Sequence, residues 1–150
     1  MTTRRSTPDP RAMSRARDLL VRADTMAVHA TDVDDTTEQV RGLYLAALRA
    51  AGAALALGET TGRPRGSLSA WARLPRSVPA FTHWATYFAG LSRLRSDIEL
   101  GITHDVPRST VLATRTAVAD FLADVEALVE DCAHGDVAPQ RWSRPDVRTA

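Results

Sequence analysis

Apolar residues recur at three- and four-residue spacing along most of this chain, the period of amphipathic helices rather than strands. Met13, Ala16, Leu20, Ala23 and Ala27 mark a first helix, which Asp9 and Pro10 open as N-cap and first helical residue. The polar stretch 31–37 interrupts it, and its acidic side chains suit the N-terminus of a second helix. That helix carries Val40, Leu43, Tyr44, Ala47, Leu48, Ala51 and Leu55 on one face and stops near Gly58. Its many alanines form a thin layer that lets a neighbouring helix approach closely.

Residues 59–66, with Gly62, Pro64 and Gly66, read as a mobile connector. Ser67 then caps a short helix with Leu68, Trp71 and Leu74, ended by Pro75. A fourth helix starts between Ser77 and Pro79 and runs to about Leu100. Trp84, Tyr87, Phe88, Leu91, Leu94 and Ile98 face one way, and Gly101 closes it. Pro107 opens the last long helix, with Val111, Val118, Phe121, Leu122, Val125, Leu128, Val129 and Cys132 as its stripe and Gly135 as its end. No useful length alternates with period two, so the expectation is an all-α chain, a compact bundle of four to five helices. Its core is expected to include Leu48, Trp84, Phe88, Leu91, Phe121, Val125 and Leu128. Residues 1–9 are expected to be disordered, 10–135 to form the one domain, and 136–150 to be a flexible tail with Trp142 between Arg141 and Arg144.

Length and composition narrow the classes. At 150 residues the chain suits one domain that folds without staples. All 19 basic residues are arginine, a pattern we read as the codon bias of a GC-rich bacterial genome. A net charge of +1 gives no global field toward nucleic acid or membrane. The single cysteine, Cys132, rules out an intramolecular disulfide and fits a reducing cytoplasm. Arg4-Arg5 lacks the apolar core of a twin-arginine signal. The longest stretch without Asp, Glu or Arg, residues 77–92, is too short to span a bilayer. A cytoplasmic protein without a membrane partner is expected.

With those residues placed, the chain resembles the small actinobacterial HEPN-domain proteins of the SAV type, over about residues 39–130. The resemblance rests on Leu45-Ala-Ala-Leu-Arg-Ala-Ala, the Trp71/Leu74 segment, Trp84-Ala-x-Tyr-Phe-Ala, Arg95 before Gly101-Ile102, and residues 121–130. It implies a compact HEPN-like bundle, commonly dimeric. It also implies either a metal-independent ribonuclease or toxin-like component, or a non-catalytic interaction module working with a protein or nucleic-acid partner. Catalytic members carry an arginine followed, after four to six residues, by a histidine.

Two pairs fit that spacing, Arg76/His83 and Arg22/His29, and about one or two would arise by chance. Arg76 and His83 are the better placed, flanking a helix start, and are the candidate catalytic pair. The alternative is an arginine before a helix and a surface histidine. Arg95 falls on the apolar face of its helix, where a charge needs a partner. It is either a candidate anion or nucleotide ligand, or paired with a carboxylate such as Asp124. Tyr44, central on its own apolar face, is a second ligand-binding candidate or a core tyrosine.

No metal site is expected. His29, His83, His104 and His134 are scattered, and one cysteine builds no thiolate cluster. Cys132 reads as a small buried apolar residue. No phosphate loop, dinucleotide fingerprint or nucleophile elbow is present, so no cofactor is expected. Arg63, Arg65 and the arginines around Trp142 are candidates for phosphate contact and base stacking. A DNA-binding regulator is disfavoured because no helix-turn-helix with a basic second helix stands out. The leading expectation is a non-catalytic HEPN-type interaction or nucleic-acid-associated accessory module, forming a homodimer and engaging a protein partner, with nucleic acid the less supported alternative.

Overall fold

The computed structural model describes residues 8–59, 68–135 and 137–145. Five α-helices follow one another: α1 (Pro10–Thr31), α2 (Thr36–Gly58), α3 (Ala70–Ser77), α4 (Thr82–Glu99) and α5 (Arg108–Ala133). Short 3₁₀ turns stand at Pro79–Phe81, before α4, and at Pro139–Arg141. Among the described residues there is no strand. The expected all-helical bundle is the fold.

The helix ends follow the local chemistry. Asp9 caps α1 by accepting from the Arg11 amide at 3.2 Å, and Pro10 fills the first helical position. Asp35 caps α2 through the Thr37 amide at 3.1 Å. Gly101 and Gly135 adopt φ of 73° and 72°, the left-handed conformation that ends α4 and α5. Ser69, rather than Ser67, caps α3, accepting from Ala72 N at 3.2 Å. Ser67 lies outside the described residues, as do the connector 60–67 with Arg63 and Arg65, and the chain ends 1–7 and 146–150. Pro75 sits inside α3 instead of ending it, and Leu74 O still accepts from Val78 N at 2.9 Å. A single missing amide late in so short a helix costs one hydrogen bond, which the packing of Trp71 and Leu74 offsets.

α2 is the central helix, packed on α1, α5, α3 and α4. Ala46, Ala47, Ala50, Ala51, Ala53 and Ala54 are all inaccessible. Where α1 crosses the start of α2, a Cβ added at Gly42 would stand 2.9 Å from Ala30 Cβ, so glycine sets that close approach. α2 is also long and apolar enough to cross a membrane, but more than half of that stretch is enclosed by the other helices. The neighbours fill the space its alanines leave with aromatic rings. Phe88 and Phe121 lie 5.2 Å apart, Trp71 stacks on Phe88 at 5.1 Å, and Phe81 meets Phe121 edge-on at 5.6 Å. Each such fully buried side chain contributes about 1.5–3 kcal/mol of transfer free energy.

Phe88, Leu91, Phe121, Val125 and Leu128 are buried as expected. Leu48 and Trp84 are only half-buried, and Tyr87 is exposed. The face of α2 that holds Leu48 is its one narrow open strip. Tyr87 points away because Phe88, the next residue, takes the core direction of α4. The larger correction concerns the tail. Residues 137–145, expected to be flexible, fold back across α5 as a strap whose Trp142 is buried. Gln140 Nε2 donates to Gly58 O at 2.9 Å, and the Trp142 indole donates to Asp131 Oδ2 at 2.8 Å.

Candidate functional site

Two of the residues singled out in the sequence meet where α2, α3 and α4 come together. Tyr44 is buried, and its hydroxyl accepts from Trp71 Nε1 at 3.1 Å. The Arg95 guanidinium carbon lies 5.3 Å from the centre of the Tyr44 ring, a cation–π contact. Arg95 also pairs with Glu99 one turn on, at 3.2 Å. Its expected alternative partner, Asp124, is not the one it uses. The long side chain lays its stem along the apolar face and takes its charge to the C-terminal end of α4, where Glu99 waits. The Arg95 Nε is nonetheless enclosed without a hydrogen-bond partner among the described residues. Arg95 and Tyr44 thus form one arginine–aromatic unit, able to hold an anion only through the exposed part of the guanidinium.

Arg76 and His83 stand at the same end of the molecule, on the last turn of α3 and the first turn of α4, with the Pro79–Phe81 turn between them. Both are exposed. Among the described residues no hydrogen bond or ion pair fixes either side chain. His83 rests its ring against the Trp84 indole, centroids 4.7 Å apart and planes 40° apart. Beneath it runs a polar chain: Trp84 Nε1 donates to Asp124 Oδ2 at 2.9 Å, and Arg144 reaches Asp124 Oδ1 at 2.8 Å. Asp124 is buried while Arg144 is more than half exposed. A general acid–base histidine needs its ring held toward the reacting proton. Here the polar chain fixes Trp84 and Arg144, and His83 only leans, tilted, against the Trp84 indole. The other matching pair, Arg22 and His29, lies seven residues apart along α1, exposed and about two turns distant.

From the sequence Asp124 was considered only as a partner of Arg95, and Arg144 only as a phosphate contact in the tail; their pairing with each other was not expected. A carboxylate inside the stripe of Phe121, Leu122 and Val125 is the signal that could have found Asp124, since an aspartate there is buried only when paired. Arg144 carries no such signal, because only the strap brings it there. The strap also removes Trp142 from any surface: its indole meets Phe81 edge-on at 5.2 Å. Base stacking on Trp142, considered from the sequence, is therefore closed off, while Arg141 remains exposed. Cys132 is fully buried, and burial, with the charge of Asp131 beside it, pushes its thiol up to about 11. Such a thiol is protonated at neutral pH and chemically quiet. Among the described residues no three His, Cys, Asp or Glu side chains come together as a metal site.

Comparison with known proteins gives one finding. The family model described as SAV_6107-like HEPN matches residues 30–126, well over half the chain. No curated protein and no solved structure matches it.

Proposed function

Since the chain belongs to this HEPN family, we propose that it is a non-catalytic interaction module of the cytoplasm, pairing with a second copy and engaging a protein partner. The observation that carries the reading is how the polar side chains of the conspicuous sites are used. Asp124 serves Trp84 and Arg144, Arg95 serves Tyr44 and Glu99, and His83 is tilted against the Trp84 indole with no hydrogen bond to orient it among the described residues. These are contacts that hold a fold together. Preorganised catalytic groups would instead converge on one reacting atom.

The alternative within the family is a metal-independent ribonuclease using Arg76 and His83, both exposed at one end of the bundle. One experiment separates the two. The purified protein is incubated with single-stranded RNA beside His83→Ala and Arg76→Ala, each checked by circular dichroism. No cleavage that depends on either residue is expected. Cleavage by the wild type, lost in both folded variants, would overturn the non-catalytic reading. Pairing is checked by light scattering at about 10–100 µM, where interfaces of modest area form. A monomer throughout that range refutes the second copy.

A further inference from the structure

The outer strip of α2 is bordered by arginines, several of which make no ion pair among the described residues. Ten of its positions from Val40 to Leu55 are enclosed, but Arg41, Leu45, Leu48, Arg49, Gly52 and Ala56 are half-buried or exposed. Their spacing of three and four puts them on one face. Leu45, Leu48, Gly52 and Ala56 make an apolar floor about 16 Å long at the helical rise, close to three turns. α1 supplies one wall. Leu19 Cδ1 comes within 3.5 Å of a Cβ position at Gly52, and Met26 and His29 line a groove of about 350 Å³ against Arg41 and Leu45. Arg15 and Arg22 precede His29 by fourteen and seven residues, so they share that edge of α1.

The rim thus carries Arg15, Arg22, Arg41, Arg49 and His29. Against them stand Glu38, at 3.7 Å from Arg41, and Asp18 further round α1. Arg15, Arg22 and Arg49 are exposed and have no ion pair among the described residues.

We propose that this groove docks an acidic amphipathic helix of a partner protein. The proposal rests on the interaction-module reading and names the chemistry of the partner. Leucine-type anchors at i, i+3, i+4 and i+7 would lie on the Leu45–Ala56 floor, and aspartates and glutamates on the helix flanks would meet the unpaired arginines. Charge decides against the other occupants. A second copy presenting the same face would oppose arginine to arginine, which suppresses that pairing. A nucleic acid would satisfy the rim but leave the apolar floor wet.

The test is fluorescence anisotropy with the full chain and a labelled synthetic helix of about 18 residues, leucine on one face and glutamate on both flanks. Three competitors accompany it: a scrambled isomer of equal charge, a lysine-flanked version, and oligouridine. Saturable binding at low salt is expected, weakened by added salt because the contacts are exposed charges. The scrambled and lysine-flanked peptides should bind at least about tenfold more weakly. Arg22→Glu with Arg49→Glu should reduce affinity by about tenfold or more without changing the circular dichroism. No binding up to about 100 µM, equal binding of the scrambled peptide, or indifference to the two substitutions would each overturn the proposal. So would oligouridine binding that the acidic helix cannot displace. His83-dependent RNA cleavage would sink the non-catalytic reading alone, because His83 is on α4 and outside this groove.

Discussion

Replacing Trp142 tests whether the strap, residues 137–145, belongs to the fold. Its indole is 4 % exposed, packs edge-on against Phe81 at 5.2 Å, and donates to Asp131 Oδ2 at 2.8 Å. Trp142→Ala removes the ring and leaves the carboxylate without that donor. Large-to-small changes of buried tryptophan cost about 3–5 kcal/mol. The strap can partly collapse at the surface, so the lower half of that range is expected, about 3–4 kcal/mol. For a domain of this size each kcal/mol moves Tm by about 2–4 °C, giving a fall of about 6–16 °C.

Trp142→Phe separates the two contributions. It keeps most of the apolar contact with Phe81 and loses the hydrogen bond to a charged acceptor, worth about 1.5–3 kcal/mol. Calorimetry of the three proteins at pH 7 should therefore rank wild type above Phe above Ala. A Trp142→Ala protein melting within about 1 °C of wild type would refute the strap as a structural element and restore the flexible tail.

Trp84→Ala should destabilise by about 2–4 kcal/mol in urea titrations, because the half-buried ring contacts Phe88 and Phe121 and donates to Asp124. An unchanged midpoint would remove Trp84 from the aromatic cluster. Cys132 predicts an alkaline effect. Its folded thiol titrates at about 11 against an ordinary 9.0, so the contribution is fully present below pH 9 and is lost as pH rises toward 11. Between pH 8 and 10.5 the wild type should lose about 2 kcal/mol more than Cys132→Ala. Equal losses in the two proteins would show that the thiol is not held protonated.

Helix periods were legible because apolar side chains repeat on faces that the caps then delimit. Asp9, Gly101 and Gly135 act where the sequence placed them, and the α2 cap, Asp35, comes from the acidic stretch expected there. Burial was less legible where neighbouring residues compete for one direction. Tyr87 and Phe88 are adjacent in an apolar run, and only packing decides that Phe88 turns inward. α2 misled in the opposite sense. Leu48 was assigned to the core from its spacing, yet alanines around it fill the enclosed positions, and the larger leucine sits on the strip left open. At the sites, Tyr44 and Arg95 were singled out separately and the fold brings them into contact. The partner of Arg95 was missed because Glu99 lies on the same helix, where an i, i+4 pair is commonplace. The docking of Trp142 and Arg144, which were noticed only as stacking and phosphate-contact candidates, was beyond sequence reasoning, since polar, proline-bearing segments carry no periodicity to betray what they dock against.

The matched family residues, 30–126, take in α2, α3, α4 and most of α5, whereas α1 and the strap lie almost wholly outside them. Those two flanking segments are nevertheless tied into the fold by strong local chemistry. α1 makes the most extensive helix–helix contact in the molecule, against α2. The strap is tied by Asp124, Asp131 and the Gly58 carbonyl. Each closes a side of the shared bundle and changes what it offers. The strap packs Trp142 against Phe81 and sets Arg144 on Asp124, the carboxylate that Trp84 also binds. α1 covers one flank of α2 and brings Arg15, Arg22 and His29 to the edge of the strip it leaves bare. The basic rim of the proposed groove is therefore a joint product: Arg41 and Arg49 come from the matched helix, and the rest from the helix that precedes it. A partner reading that rim would recognise this chain through α1, which is where selectivity among proteins sharing the bundle would reside.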